Sequence, residues 1–173
     1  MNLALRAIAV PMLALVPIGT AQATAARPVA VFDFELIDTS LDGEMNGPRA
    51  DEQQRIVQIS NALRRKLAAD DQFRVVDIAP VDAKAHAVHL QACGGCDADL
   101  AAKVGAKLSI TGTVQKVSNL ILNMSIYVRD VTSGRVVATM NADMRGNTDE
   151  SWSRTIDWLV RNRLFPALDG VHE

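Results

Sequence analysis

Four residues able to do soft-metal or thiol chemistry lie close together in the sequence: His86, His89, Cys93 and Cys96, with Gly94 and Gly95 between the cysteines. A two-residue spacer lets the sulfurs meet, so the pair can be a disulfide, a redox dithiol or half of a metal site. Spacing alone permits a tetrahedral zinc or copper ion on His86, His89, Cys93 and Cys96. In an oxidising compartment a plain disulfide is the first expectation, and an oxidised pair cannot ligate as two thiolates. Closing so short a loop stabilises a fold by only about 2 kcal/mol, so its expected role is to fix a tight turn before a helix beginning at Asp97. No aromatic or proline neighbours the pair, which argues against a thioredoxin-like oxidoreductase, and the lack of His after Cys96 excludes covalent haem attachment.

Acidic residues offer two weaker candidates. Asp38-x-Ser40-x-Asp42-Gly43-Glu44 resembles the first half of a calcium loop, but the twelfth position is Arg49, where a bidentate Glu is required, and Pro48 interrupts the helix that should follow. An acidic surface loop is the better reading. Asp33 and Glu35 alternate with Phe32 and Phe34 at the end of an apolar run, where capping and solvation account for them better than acid/base work. Nucleophile elbows, HExxH, phosphate-binding loops and dinucleotide fingerprints are missing from the sequence, so no catalytic residue is assigned and no cofactor is expected unless the cysteine loop binds metal. Eighteen Lys and Arg against twenty Asp and Glu give a formal charge of −2, without the basic excess that nucleic-acid binding needs.

The elements that must position these groups follow from patterning. Arg6, the apolar run Ala7 to Ile18 and the small residues ending in Ala21-x-Ala23 read as a cleaved signal peptide over residues 1–23, since about 12 apolar residues are too few for a span of about 20. No Cys follows that run, so no lipid anchor is expected. Residues 24–173 then form a single domain exported to an oxidising compartment, most simply a bacterial periplasm, with no membrane span. Pro28 to Leu36 reads as a buried first strand, residues 37–49 as a loop, and Ile56, Ile59, Leu63 and Leu67 as the apolar face of a helix of about five turns. Phe73 to Asp77 is a second strand closed by Pro80; a loop carries the histidines and cysteines into a short helix ended by Gly105.

Three alternating runs follow, Lys107 to Val117, Leu120 to Val128 and Val136 to Arg145, each with one apolar and one polar face, as an antiparallel meander requires. Asn147 to Glu150 opens a last helix, with Asn147 as the cap, and Pro166 stops it. On that helix Trp152, Ile156, Leu159, Val160 and Arg163 form the core stripe. The expected order is β-α-β-α-β-β-β-α, an α/β fold of the α+β two-layer sandwich type, a mixed sheet with helices on one face. Candidate contacts for a partner are Tyr127, Arg129, Asp143 and Arg145 on the uncovered polar face, and Trp158 and Phe165 on the outer side of the last helix.

Val29-Ala-Val-Phe-Asp-Phe34, Gly105-Ala-Lys-Leu-Ser-Ile-Thr-Gly-Thr-Val114 and Val128-Arg-Asp-Val-Thr-Ser-Gly-Arg-Val-Val137 resemble the N-terminal domain of TolB and the related periplasmic modules of the CsgG and LpoB type. Thr113-Val-Gln-Lys-Val-Ser-Asn-Leu-Ile-Leu-Asn123 and Arg145-Gly-Asn-Thr-Asp-Glu-Ser-Trp152 are similar to a family of small secreted proteobacterial proteins of unknown function. The wider resemblance implies a non-catalytic module that docks on another envelope or periplasmic protein.

Overall fold

A computed structural model describes residues 25–170, so the expected signal peptide and His172 lie outside the described residues. Six strands form one mixed sheet: β1 (Arg27–Val31), β2 (Glu35–Asp38), β3 (Phe73–Val75), β4 (Leu108–Ser118), β5 (Ile121–Asp130) and β6 (Val136–Met144). The order across the sheet is β3-β1-β4-β5-β6, with β2 also pairing β4. β1 runs parallel to β3 and β4, and β2 parallel to β4, whereas β4, β5 and β6 form the expected antiparallel meander. The mixed α/β architecture read from the sequence is the one observed.

The apolar residues of each strand meet two amphipathic helices, α2 (Ala50–Ala68) and α5 (Asp149–Leu159). Val29, Val31, Ile110, Val114, Met124, Ile126 and Val128 pack there against Ile59, Leu63, Leu67, Trp152, Ile156 and Leu159 in one continuous core. Gly112 in β4 has no side chain because the Phe34 ring lies on it, and a Cβ would overlap that ring.

Helices also cover part of the second face. Ala30 and Phe32, which alternate with Val29 and Val31, pack against Val81 and Ala85 of α3 (Ala79–His86) and against Leu100 and Ala101 of α4 (Cys96–Lys103). The single helical layer expected from the meander therefore holds over β5 and β6, and a smaller second layer covers β1 and the start of β4. Ser109, which bonds to Asp97 of α4, and Thr111, which bonds to Gln91 between α3 and α4, are buried for this reason, although their alternation reads as a solvent-facing row.

Four local differences from the patterning have physical causes. The first strand breaks at residues 32–34, because the Phe34 amide leaves the sheet to donate to Ser60 Oγ of α2 at 2.9 Å. Within the expected 37–49 loop a short helix, α1 (Leu41–Asn46), is capped by Ser40, whose Oγ accepts from the Gly43 amide at 3.1 Å. Pro80 starts α3 instead of merely ending β3, because proline is tolerated in a first helical turn.

Pro166 does not stop the last helix. A π turn over Val160–Leu164 precedes it, and α6 (Phe165–Asp169) continues the chain. Residue for residue, the wider turn delays the helical phase, so Leu164 and Leu168 enter the core and Arg163 is exposed. That corrects the expected core stripe.

Candidate functional site

The face of the sheet opposite α2 and α5 is open at the β4–β5 hairpin end. Ile37 lies beside Gln115 in the β2–β4 pairing, and Val117 follows two residues on; both alternate with the inward-facing Asp38, Val114 and Lys116. Ile121, which alternates with the buried Leu122, faces the same way, and Leu120 stands at the hairpin tip. Leu120, Ile121 and Val117 are 73%, 61% and 51% exposed. Leu41 and Met45 of α1 expose apolar side chains at the same end of the sheet. Along β5 and β6 this face continues as Asn123, Ser125 and Tyr127, opposite Asp143, Asn141 and Thr139. Asn123 Nδ2 donates to Asp143 Oδ1 at 2.9 Å, and Arg145 is exposed beyond them.

Arg129, expected on this polar face as a partner contact, is instead engaged within the fold. Its Nε lies 3.0 Å from Asp97 Oδ1 at the start of α4, and Asp97 is buried and accepts from Ser109 Oγ at 2.9 Å. The second helical layer makes Arg129 a latch between α4 and β5. Phe165 is likewise turned inward, stacked on Phe73 with ring centroids 6.4 Å apart. Trp158 is exposed alone, with the Arg163 guanidinium 5.4 Å from its ring. The Trp158 and Phe165 pair therefore does not form one surface patch.

The calcium-like loop already faces a cation. Lys116 Nζ is fully buried and donates to Glu52 Oε1 at 2.7 Å and to Asp38 Oδ2 at 3.0 Å, with Asp42 Oδ2 at 3.6 Å. Burial works against the Lys116 charge, but the bonds to Glu52 and Asp38 outweigh it and hold its pKa above the ordinary value. Burial also opposes the Asp38 charge; the Ser40 hydroxyl and amide and the Lys116 ammonium together keep its carboxyl below the usual range. Asn147 is not the cap of α5: Thr148 is, through a 3.2 Å bond to its Oγ1 from the Ser151 amide. Asn147 turns inward, donating to Glu52 Oε1 at 2.6 Å and accepting from Trp152 Nε1 at 2.9 Å. Sequence reasoning missed Glu52, Lys116 and Asn147; the one signal was a lysine in phase with the apolar residues of β4.

A cleft of about 280 Å³ opens where the first strand breaks, lined by Asp33, Glu35, Asp82, His86 and His89 among others. His86 Nε2 lies 3.3 Å from Asp33 Oδ2, and its Nδ1 lies 3.0 Å from the Asp82 carbonyl oxygen. The bond to that carbonyl, then the charges of Asp82 and Asp33, raise the His86 pKa. His89 Nδ1 is 3.2 Å from Glu35 Oε2, while Glu35 Oε1 accepts from the Leu90 amide at 2.7 Å. Asp33 and Glu35, read from the sequence as capping and solvating groups, thus line this cleft. Cys93 and Cys96 form the expected disulfide at the start of α4, whose first residue is Cys96, and His86 and His89 turn to carboxylates.

Fold and surface together define a small mixed α/β module with one open sheet face. The chain belongs to the family described as "Protein of unknown function (DUF2380)", whose model, DUF3280, matches residues 27–164. No curated protein matches it. Among solved structures it is similar to LpoB from Escherichia coli, with 15% identity over 72% of this chain and 59% of that one and a TM-score of 0.51. The LpoB C-terminal domain from Salmonella enterica is similar at 15% identity, covering 72% of this chain and 87% of that one, TM-score 0.49. TolB from Acinetobacter baumannii is similar at 11% identity over 86% of this chain and 29% of that one, TM-score 0.48. The family of unknown function and the LpoB-type fold are those the sequence motifs resemble. Among the described residues no helix is long and apolar enough to cross a membrane.

Proposed function

We propose that this protein is a non-enzymatic module of the bacterial cell envelope, exported to the periplasm through a cleaved signal peptide, that docks another envelope protein through the open end of its sheet. The observation that carries this reading is the apolar group Ile37, Val117, Leu120 and Ile121, exposed together on the face that no helix covers there. Clustered exposed apolar side chains rimmed by polar ones are the signature of a protein contact. Tyr127, Asp143 and Arg145 lie farther along the same face and supply the polar rim. The resemblance to TolB, CsgG and LpoB modules points to the same class of role.

Site-specific photo-crosslinking in the cell of origin tests it. A crosslinker at Ile121 or Val117 should give one discrete adduct with an envelope protein, abolished by Leu120→Asp, while a crosslinker at Arg161 on the last helix should give none. Absence of an adduct at both face positions, or equal adducts at all three, would overturn the reading. Mature protein beginning near Thr24 is expected in the periplasmic fraction; full-length protein retained in the inner membrane would contradict export with cleavage.

A further inference from the structure

The oxidised cysteine pair withdraws two of the four ligands that spacing alone would offer a metal, yet His86 stands in a setting that suits one. Asp82 and His86 are four residues apart on α3, hence on one helical face, and the break between β1 and β2 brings Asp33 to them. One ligand atom from each of the three lies within 4.8 Å of the other two. His86 Nδ1 faces the Asp82 carbonyl at 3.0 Å and the Asp82 carboxylate at 3.3 Å, while Nε2 faces Asp33 Oδ2 at 3.3 Å. In the tautomer with its proton on Nδ1, Nε2 can bind a metal beside Asp33, and the Asp82 carboxylate reaches the same ion by turning from Nδ1. Two donors on a tetrahedral zinc at about 2.0–2.1 Å stand about 3.3–3.4 Å apart. The other Asp33 oxygen accepts from Arg64 Nη2 at 2.7 Å, and the same guanidinium nitrogen donates to the Val31 carbonyl at 2.9 Å, so the carboxylate is oriented in advance. The carboxylates of Asp33, Asp82 and Glu35 outnumber the one guanidinium at the cleft, a negative excess that a divalent ion compensates.

We propose that Asp33, Asp82 and His86 form a mononuclear zinc site in this cleft, with water completing the coordination. His89 and Glu35 pair with each other at its rim and are not ligands. One imidazole with two carboxylates is a donor set zinc accepts, and an open coordination position follows from three protein ligands. The site is independent of the docking face and of the cysteines.

The test uses the mature protein with its disulfide intact, stripped by a chelator and titrated with zinc chloride against a chromophoric competitor. Uptake of one zinc per chain is expected, with a change in the His86 ring signals by NMR and a zinc-dependent rise in Tm. His86→Ala, on the exposed end of α3, should keep the metal-free Tm yet weaken zinc binding at least about tenfold and lose the Tm response. The Cys93→Ser, Cys96→Ser double variant should bind as the parent does, and His89→Ala should stay within about twofold. Uptake well below one equivalent, undiminished uptake by His86→Ala, or loss of uptake in the cysteine variant would each overturn the proposal.

Discussion

Lys116 occupies a position that strand alternation assigns to the core, and it is charged. An ammonium with no exposure requires partners on several sides; Glu52 from α2 and Asp38 from the end of β2 provide them. Removing it leaves the fully buried Glu52 carboxylate with Asn147 as its hydrogen-bond donor and Arg49, 3.9 Å away, as its cation. Lys116→Met is expected to destabilise the fold by about 3–5 kcal/mol, measured by urea denaturation. If the loss is below about 1 kcal/mol, the network contributes little. The same network makes stability depend on pH. The folded Asp38 pKa lies below its unfolded value, so the stability it contributes is present above about pH 4 and is lost as pH falls through the lowered folded value. The stability difference between the parent and Asp38→Asn should therefore shrink as the pH falls below about 4, as followed by denaturation at each pH.

Among the elements, the last helix carries the sharpest test of packing. At a regular 100° per residue, Arg163 falls on the core stripe and Leu164 at its margin. The π turn at Val160–Leu164 reverses this: Leu164 is fully buried and Arg163 reaches out to the Trp158 ring. Leu164→Ala is expected to cost about 2–5 kcal/mol, whereas Arg163→Ala, which gives up only an exposed cation–π contact, should cost about 1 kcal/mol or less. Thermal melts of the two variants distinguish the geometries, since an uninterrupted α-helix reverses their order. Proline explains the turn's place. Pro166 has no N–H to donate, and the Phe165 amide already bonds to the Val160 carbonyl five residues back.

At the scale of the whole molecule, the sheet is sealed fully on one face and partly on the other. The disulfide belongs to the second, smaller layer, where it fixes the turn into α4 while Asp97 at that helix's start holds Arg129 of β5. Because the loop it closes is short, the Cys93→Ser, Cys96→Ser variant is expected to fold and to lose only about 2 kcal/mol by urea denaturation. Failure of that variant to fold would mean that the pair anchors the whole second layer. The open remainder of that face, from Ile37 and Val117 to Tyr127 and Asp143, is the surface proposed to dock a partner.

Amino-acid order alone determined the meander, the amphipathic α2 and the mixed α/β class, because alternation and 3.6-residue periodicity are local signals, and it made a disulfide the first of several expectations for the cysteine pair. Proline is a less decisive signal: Pro80 and Pro166 each sit in a first helical turn and do not end an element there. Which face of β4 is dry was decided only when α3 and α4 folded over Ser109 and Thr111, since burial of a polar strand face depends on what crosses it, not on its own residues. Tertiary structure alone also brought Asp33 to His86 and Glu52 to Lys116, pairs 53 and 64 positions apart in the chain, because carboxylates carry no sequence mark of the cation they will meet.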